Sequence, residues 1–235
     1  MIFAAILAGG IGNRVGSSKP KQFLMVGDKP ILVHSIEKFL KVDEIDKIIV
    51  SSPKSYINDT QELILNYFGT NDKLIIICGG ETRNDTILNS ISFIMDNYDD
   101  EDPILITHDA ARIFVSPKII KNSILELENH DASSAVIPAV DVIFESNKQR
   151  NLVNIPLREN LVHAQTPQSF KVNKFLEIYY DLSSDEIKKL DEAMMLFYLR
   201  GADVSLFDGD SINFKITRPI DLIIAEKILN DNINL

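Results

Sequence analysis

Five short apolar runs recur along this chain, and neighbouring runs are separated by segments with helical periodicity, an alternation that few architectures accommodate. The runs are IFAAILA (2–8), KIIVSS (47–52), KLIIIC (73–78), PILITH (103–108) and SSAVIPA (133–139), rich in residues that strands favour. Between them, PILVHSIEKFLKV (30–42), SYINDTQELILNYF (55–68), NDTILNSISFIMDNY (84–98) and SPKIIKNSILELEN (116–129) repeat apolar residues near three- and four-residue spacing. Strands joined by helices rather than tight turns run parallel, and runs that are apolar throughout are buried on both faces. The expected class is α/β, a mostly parallel sheet covered by helices.

Ligands of such sheets sit beyond the carboxyl ends of the strands. The residues that carry chemistry fall there: AGGIGNR (8–14) follows the first run, GGETRND (79–85) the third and HDAAR (108–112) the fourth. After Pro138 the rhythm changes to two extended segments around the polar turn SNKQRN (146–151), which reads as a projecting β-hairpin over 139–165 or as an ordinary surface hairpin. The remainder predicts a helix around 184–200, strands at ADVSLF (202–207) and INFKIT (212–217), and a closing helix from Arg218 to about Asn230. Nothing in the composition divides the 235 residues into unlike halves, so a single domain over 1–235 is expected.

A net charge of −10 argues against a nucleic-acid surface, which needs a cationic footprint, and gives weight to local clusters of cations. The opening apolar stretch ends at Gly9, too short to span a membrane, and lacks the flanks of a leader, so a cytoplasmic protein without a membrane partner is expected. The single cysteine, Cys78, excludes an intramolecular disulfide and reads as a small core residue.

One cationic cluster lies in LAGGIGNRVGSSKPKQF (7–23), where Gly9, Gly10, Gly12 and Gly16 accompany Arg14, Lys19 and Lys21. Glycines let backbone amides converge on a phosphate, and nearby cations neutralise charge that rises during phosphoryl or nucleotidyl transfer. No glycine here is followed by Lys and then Ser or Thr, which excludes a P-loop. Gly10, Gly12 and Gly16 are spaced one residue too long for a dinucleotide fingerprint, which disfavours a nicotinamide-dependent oxidoreductase.

With that loop joined in order to GGETRND, HDAAR, TPQSF (166–170) and NFKITRPIDL (213–222), the chain resembles the cytidylyltransferases that act on polyol phosphates. That group includes the enzymes for 2-C-methyl-D-erythritol 4-phosphate and for ribitol 5-phosphate. The resemblance implies a Rossmann-like three-layer nucleotidyltransferase fold whose β-arm helps to form a homodimer. It implies that CTP and a polyol phosphate give a CDP-polyol and pyrophosphate with Mg²⁺, the acceptor's phosphate oxygen attacking the α-phosphorus in line.

By the same resemblance Arg14, Lys21 and Lys215 are the catalytic cations. Ala8, Gly9, Gly10, Gly12, Gly79, Gly80, Asp85, Thr86 and Ala110 lie at nucleotide-binding positions. Arg112, Asp141 and Arg158 lie on the acceptor side, and Asp109 is the metal candidate, as hard oxygen ligands suit Mg²⁺. Read on its own chemistry, GGETRND is also a glycine turn in which Asp85 or Thr86 caps the next helix, and Arg158 is a surface arginine. His108 has no histidine or cysteine companion and reads as structural.

Three positions depart from the family pattern: Ile113 stands for a proline, Val142 and Leu190 for threonines. Loss of two hydroxyls changes what an acceptor pocket admits. AVDVIFES (139–146), IPLR (155–158) and QTPQSF (165–170) look nearer to the ribitol-phosphate branch. D-ribitol 5-phosphate, a precursor for teichoic acid or capsule, is therefore the expected acceptor. The alternatives are 2-C-methyl-D-erythritol 4-phosphate of isoprenoid synthesis, or a CTP-binding module without turnover.

Overall fold

The computed structural model describes residues 1–9, 20–190 and 192–231. The first half contains β1 (Ile2–Leu7), a small hairpin of β2 (Met25–Val26) and β3 (Lys29–Pro30), α1 (Ile31–Leu40), β4 (Lys47–Ser52), α2 (Ile57–Phe68), β5 (Leu74–Cys78), α3 (Arg83–Asn97) and β6 (Ile104–Asp109). The second half contains α4 (Pro117–Leu125), β7 (Ala132–Pro138), β8 (Glu145–Ser146), β9 (Leu152–Asn154), β10 (Val162–Lys171), α5 (Val172–Asp181), α6 (Ser184–Ile187), α7 (Ala193–Leu199), β11 (Val204–Asp208) and α8 (Pro219–Asn230).

Seven strands form one sheet in the order β11-β7-β10-β6-β1-β4-β5. The pairings are parallel except where β10 runs antiparallel between β6 and β7, so the α/β class with a mostly parallel sheet is what the chain adopts. The central strand β1 shows why its sequence is apolar throughout. Ala4 and Ile6 face one helical layer with Ile36 and Phe39 of α1, Ile64 of α2 and Ile119 and Ile120 of α4. Phe3 and Ala5 face the other layer with Ile87, Ile91 and Ile94 of α3, Phe175 and Ile178 of α5, and Leu196 and Phe197 of α7. Fully buried side chains of this size contribute about 1.5–3 kcal/mol each, which is what fixes strand order and register.

A third cluster bears more directly on the ligand end. Val26, Ile31, Ala111, Ile113, Phe114, Ile216 and Ala225 pack together, with Phe214, Leu222 and Leu229 against them. Through it α8 clamps the segment after β6 and the segment around Lys215 over the carboxyl edge of the sheet.

Four expectations need correction. INFKIT is no strand: Ile212, Phe214 and Ile216 pack inward by alternation, but the backbone bonds go singly to a neighbouring turn and to Ala111 O, with no ladder. The helix expected over 184–200 is broken into α6 and α7, because Leu190 turns its carbonyl to Asn84 Nδ2 at 2.7 Å and Glu192 starts a new helix by accepting from Met194 N–H. Helix α5 lies where none was expected, although Val172, Phe175 and Ile178 carried the three-residue spacing of its buried face. Cys78 is exposed, because its strand sits at the sheet edge.

Candidate active site

The carboxyl ends of β1 and β6, the start of α3 and the segment before α8 surround one cleft. It is lined by Ala8, Gly9, Lys21, Gln22, Gly80, Glu81, Arg83, Thr86, Asp109, Ala110 and Lys215, among others. Six of the sequence-derived nucleotide and metal positions, Ala8, Gly9, Gly80, Thr86, Ala110 and Asp109, thus meet there with Lys21 and Lys215. Gly10, Gly12 and Arg14 lie outside the described residues.

The wall beside the end of β1 is built by a helix start, with Thr86 Oγ1 3.5 Å from where a Cβ on Gly9 would lie. Thr82 is the N-cap of α3: its side chain accepts from Asp85 N–H at 3.1 Å, and Asp85 Oδ2 accepts from Thr82 N–H at 2.9 Å. The capping residue is therefore Thr82, and the Asp85 carboxylate is committed to the cap rather than lining the cleft. Thr86 does line it, and its hydroxyl accepts from Gly80 N–H at 3.0 Å and donates to Thr82 O at 2.9 Å. Gly80 allows that turn: a Cβ there would lie 2.2 Å from Asp85 Cβ. Gly79 stands behind it, adjoining Ser52 O and Thr86 rather than lining the cleft. Across the cleft, buried Gln22 donates to Ala8 O at 2.8 Å and fixes the end of β1.

The charged centre is Asp109 at the end of β6. Lys215 Nζ lies 2.9 Å from its Oδ2, Arg112 Nε 3.5 Å from the same oxygen and Arg83 Nε 4.0 Å from Oδ1. Burial pushes the Asp109 carboxyl up, but the charges of Lys215, Arg83 and Arg112 outweigh it and hold the group well below the usual carboxylate range. Burial likewise pulls the Arg112 guanidinium below its ordinary value, against the raising effect of Asp109. Lys21, at the start of a short 3₁₀ turn, donates to Ile216 O at 3.4 Å, which brings it to the residue beside Lys215.

A buried polar network holds this centre from beneath. His108 Nε2 meets Arg112 O at 3.0 Å, and a carbonyl only accepts, so Nε2 carries the proton and Nδ1 accepts from the Thr166 hydroxyl at 3.0 Å. The same Thr166 oxygen accepts from Asp109 N–H at 3.1 Å. Asn213 Nδ2 donates to Thr166 O at 2.8 Å, and Arg112 Nη1 donates to Asn213 O at 2.8 Å. Burial lowers the imidazole to about 4, so His108 is neutral near pH 7. The strand β10 bends here, with an irregularity in its pairing to β7 between Ala164 and Gln168 that re-aims Gln165 and Thr166.

Of the two carboxylates that line the cleft among the described residues, Glu81 is exposed and Asp109 is ringed by cations. Among the described residues no group of three or more His, Cys, Asp or Glu is arranged to hold a metal. Asp109 fits Mg²⁺ only as one ligand beside phosphate oxygens and water, which is how that ion is usually bound.

Asp141 and Arg158 are exposed on the hairpin between β7 and β10, where Arg158 donates to Val140 O at 3.1 Å. They are not among the residues lining the cleft. The departures also fall outside it: Ile113 is in the third core cluster, Val142 is 59% exposed, and Leu190 packs against the core of α3, α5 and α7. Sequence reasoning missed Arg83 and Gln22, which sat inside the quoted GGETRND and KPKQF, and Thr166 and Asn213, which anchor the cleft from TPQSF and NFKIT. No helix among the described residues is long and apolar enough to cross a membrane.

A sequence model of the family described as "IspD: 2-C-methyl-D-erythritol 4-phosphate cytidylyltransferase" matches residues 2–231. The solved 4-diphosphocytidyl-2C-methyl-D-erythritol synthase of Anaerococcus prevotii is 24% identical, with a TM-score of 0.82 over 98% of this chain and 96% of that one. The 2-C-methyl-D-erythritol 4-phosphate cytidylyltransferase of Francisella tularensis is 24% identical, with a TM-score of 0.80 over 96% of this chain and 98% of that one. The enzyme of the same name from Thermus thermophilus is 22% identical, with a TM-score of 0.73 over 98% and 100% of the two chains.

Proposed function

The chain belongs to the 2-C-methyl-D-erythritol 4-phosphate cytidylyltransferase family, and from that premise we propose that it transfers the cytidylyl group of CTP to 2-C-methyl-D-erythritol 4-phosphate. That it is a cytidylyltransferase follows from the family; the acceptor is our reading. The family match over residues 2–231 favours this acceptor over ribitol 5-phosphate. The ribitol reading rests on the short segments AVDVIFES, IPLR and QTPQSF, against a family match that spans nearly the whole chain.

The observation that carries the reading is the Asp109 centre facing the glycine turns. A phosphate monoester is largely a dianion near pH 7 and needs no base to act as nucleophile. The bond that forms joins an acceptor phosphate oxygen to the α-phosphorus of CTP; the bond that breaks joins that phosphorus to the β-phosphate bridge, and pyrophosphate leaves with the electron pair. Two polyanions must be brought together in line, so the work of the site is alignment and charge stabilisation. Lys21 and Lys215 supply positive charge from opposite ends of the chain. Asp109 holds Lys215 and Arg112 in place, while Gly80 and Thr86 shape the wall for the base.

In this proposal Asp109 would hold Mg²⁺ beside phosphate oxygens and water, and the ion would neutralise charge on the triphosphate. The hairpin over 139–165 is proposed to pair with a second copy, bringing Asp141 and Arg158 to the partner's cleft. A cytoplasmic location suits a chain with one free cysteine.

The test is pyrophosphate release with CTP and Mg²⁺ against methylerythritol 4-phosphate, ribitol 5-phosphate and glycerol 3-phosphate. Turnover with the first alone is expected. Preference for ribitol 5-phosphate would overturn the acceptor, and CTP binding with silence across the panel would favour a module without turnover.

A further inference from the structure

We propose that Gln22 and Ser35 are positioning residues for the nucleotide, each covering a backbone carbonyl at a strand end so that the cleft admits a polyanion; this rests on the cytidylyltransferase reading. Carbonyl oxygens run out of ladder partners at the carboxyl end of a parallel sheet, and an oxygen left over there opposes a triphosphate. In this sheet the pairing of β1 ends with Leu7 opposite Ser51 and Asp109. The next residues along, Ala8 and Ala110, both line the cleft beside Lys21, Asp109 and Lys215. Their amides still bond to the sheet, Ala8 N–H donating to Ser51 O at 3.0 Å and Ala110 N–H to Leu7 O at 3.3 Å. Their carbonyls are taken by side chains: Gln22 Nε2 donates to Ala8 O at 2.8 Å and Ser35 Oγ to Ala110 O at 2.7 Å.

Packing alone does not ask for these donors. Gln22 is 2% exposed and Ser35 is wholly buried, where an apolar side chain would avoid the cost of burying a polar group. A helical serine commonly bonds a carbonyl of its own preceding turn, but Ser35, among the buried Leu32, Ile36 and Phe39 of α1, reaches a carbonyl 75 residues away. Two elements thus serve matching places on neighbouring strands. A bonded carbonyl is fixed in direction with its negative end covered, and preorganised dipoles count for more in a site sheltered from water. Ala8 and Ala110 are nucleotide-binding positions by family resemblance, so the ligand that feels them is CTP rather than the acceptor.

Steady-state kinetics of wild type, Gln22→Met, Ser35→Ala and Ser35→Thr test this. Freeing one carbonyl should raise the KM for CTP about ten-fold in Gln22→Met and in Ser35→Ala, while the acceptor KM stays within about two-fold. Ser35→Thr keeps the hydroxyl and should recover most of the loss, although it changes the packing more than alanine does. An equal rise in both KM values, no change in either, or a Ser35→Thr no better than Ser35→Ala overturns the proposal. Should Gln22→Met not fold, the serine variants decide alone.

Titration calorimetry of CTP with Mg²⁺ into acceptor-free protein reads the same carbonyls without turnover. Gln22→Met and Ser35→Ala should each bind CTP about ten-fold more weakly than wild type. Equal affinity in wild type and variants, or no CTP binding by wild type, overturns it. CTP binding that depends on both donors in a wild type that releases no pyrophosphate with any acceptor would count against the cytidylyltransferase reading alone.

Discussion

Asp109 closes one strand and the hairpin follows another, yet they are built from opposite materials. Asp109 is 13% exposed, with cations from α3, from the segment after β6 and from the segment before α8 closed around it. On the hairpin Val140, Val142, Phe144 and Leu157 are 79%, 59%, 62% and 67% exposed. The hairpin holds its shape with local bonds: Asn147 Oδ1 accepts from the amides of Gln149 and Asn151, and Ala139 N–H donates to Leu161 O at its base. The difference is one of completeness. The cations of the charged centre are held by a carboxylate of the same chain, whereas the hairpin leaves large apolar side chains uncovered.

The sharpest way to break that contrast is Asp109→Asn. With the carboxylate gone, three cations face one another in a largely buried site, and breaking a buried pair costs on the order of 3 kcal/mol. Turnover should fall about 10²-fold or more as Lys215 loses its anchor. The sign with pH follows from the depressed carboxyl: its contribution is complete above the unfolded value near about 4 and fades as pH falls toward the lower folded value. Acid unfolding monitored by circular dichroism should therefore lose part of its steepness in the variant; an unchanged acid limb and stability would show that Asp109 does not organise the cations.

A middle-sized effect is expected at His108. Its folded pKa of about 4 lies below the unfolded value, so the unfolded chain binds the extra proton first and stability falls as pH drops from about 6.5 to about 4. His108→Gln should flatten stability across that window in denaturant titrations at several pH values. An identical slope in wild type and variant would show that the neutral histidine does not support the site.

The smallest effect belongs to the hairpin. Val142→Thr should leave the melting temperature of the chain almost unchanged, within about 0.5 kcal/mol in stability, because the side chain is exposed and belongs to none of the core clusters. Deleting residues 143–156 should likewise leave the sheet folded while sedimentation shows loss of the proposed dimer. A large drop in stability from Val142→Thr would mean that the hairpin is part of the monomer's own core.

How far the sequence led is clearest residue by residue. The strands and helices before Pro138 were legible because each repeats one period over a full element and meets a continuous core on both faces of the sheet. Helix α5 carried the same signal in Val172, Phe175 and Ile178, but it follows β10 without a break and no turn residue announces it. INFKIT shows the reverse error: alternation reports a buried face, and a segment can bury one without joining a ladder. Ile113, Val142 and Leu190 looked like changes in an acceptor pocket, and folding puts two against cores and one on an exposed hairpin.

By itself the sequence determined the α/β class, the cleft's place at the strand ends, the glycine turn at Gly80 and the family, because periodicity, steric allowance and ordered motifs are local or ordered properties of a chain. Only the tertiary structure decided that Arg83, Arg112 and Lys215 share one carboxylate and that Thr166 and Asn213 support them. Those contacts depend on β10 lying beside β6 and on α8 holding the Lys215 segment over the sheet edge. Which charges meet across such distances in sequence is set by strand order and packing, and no local period encodes it.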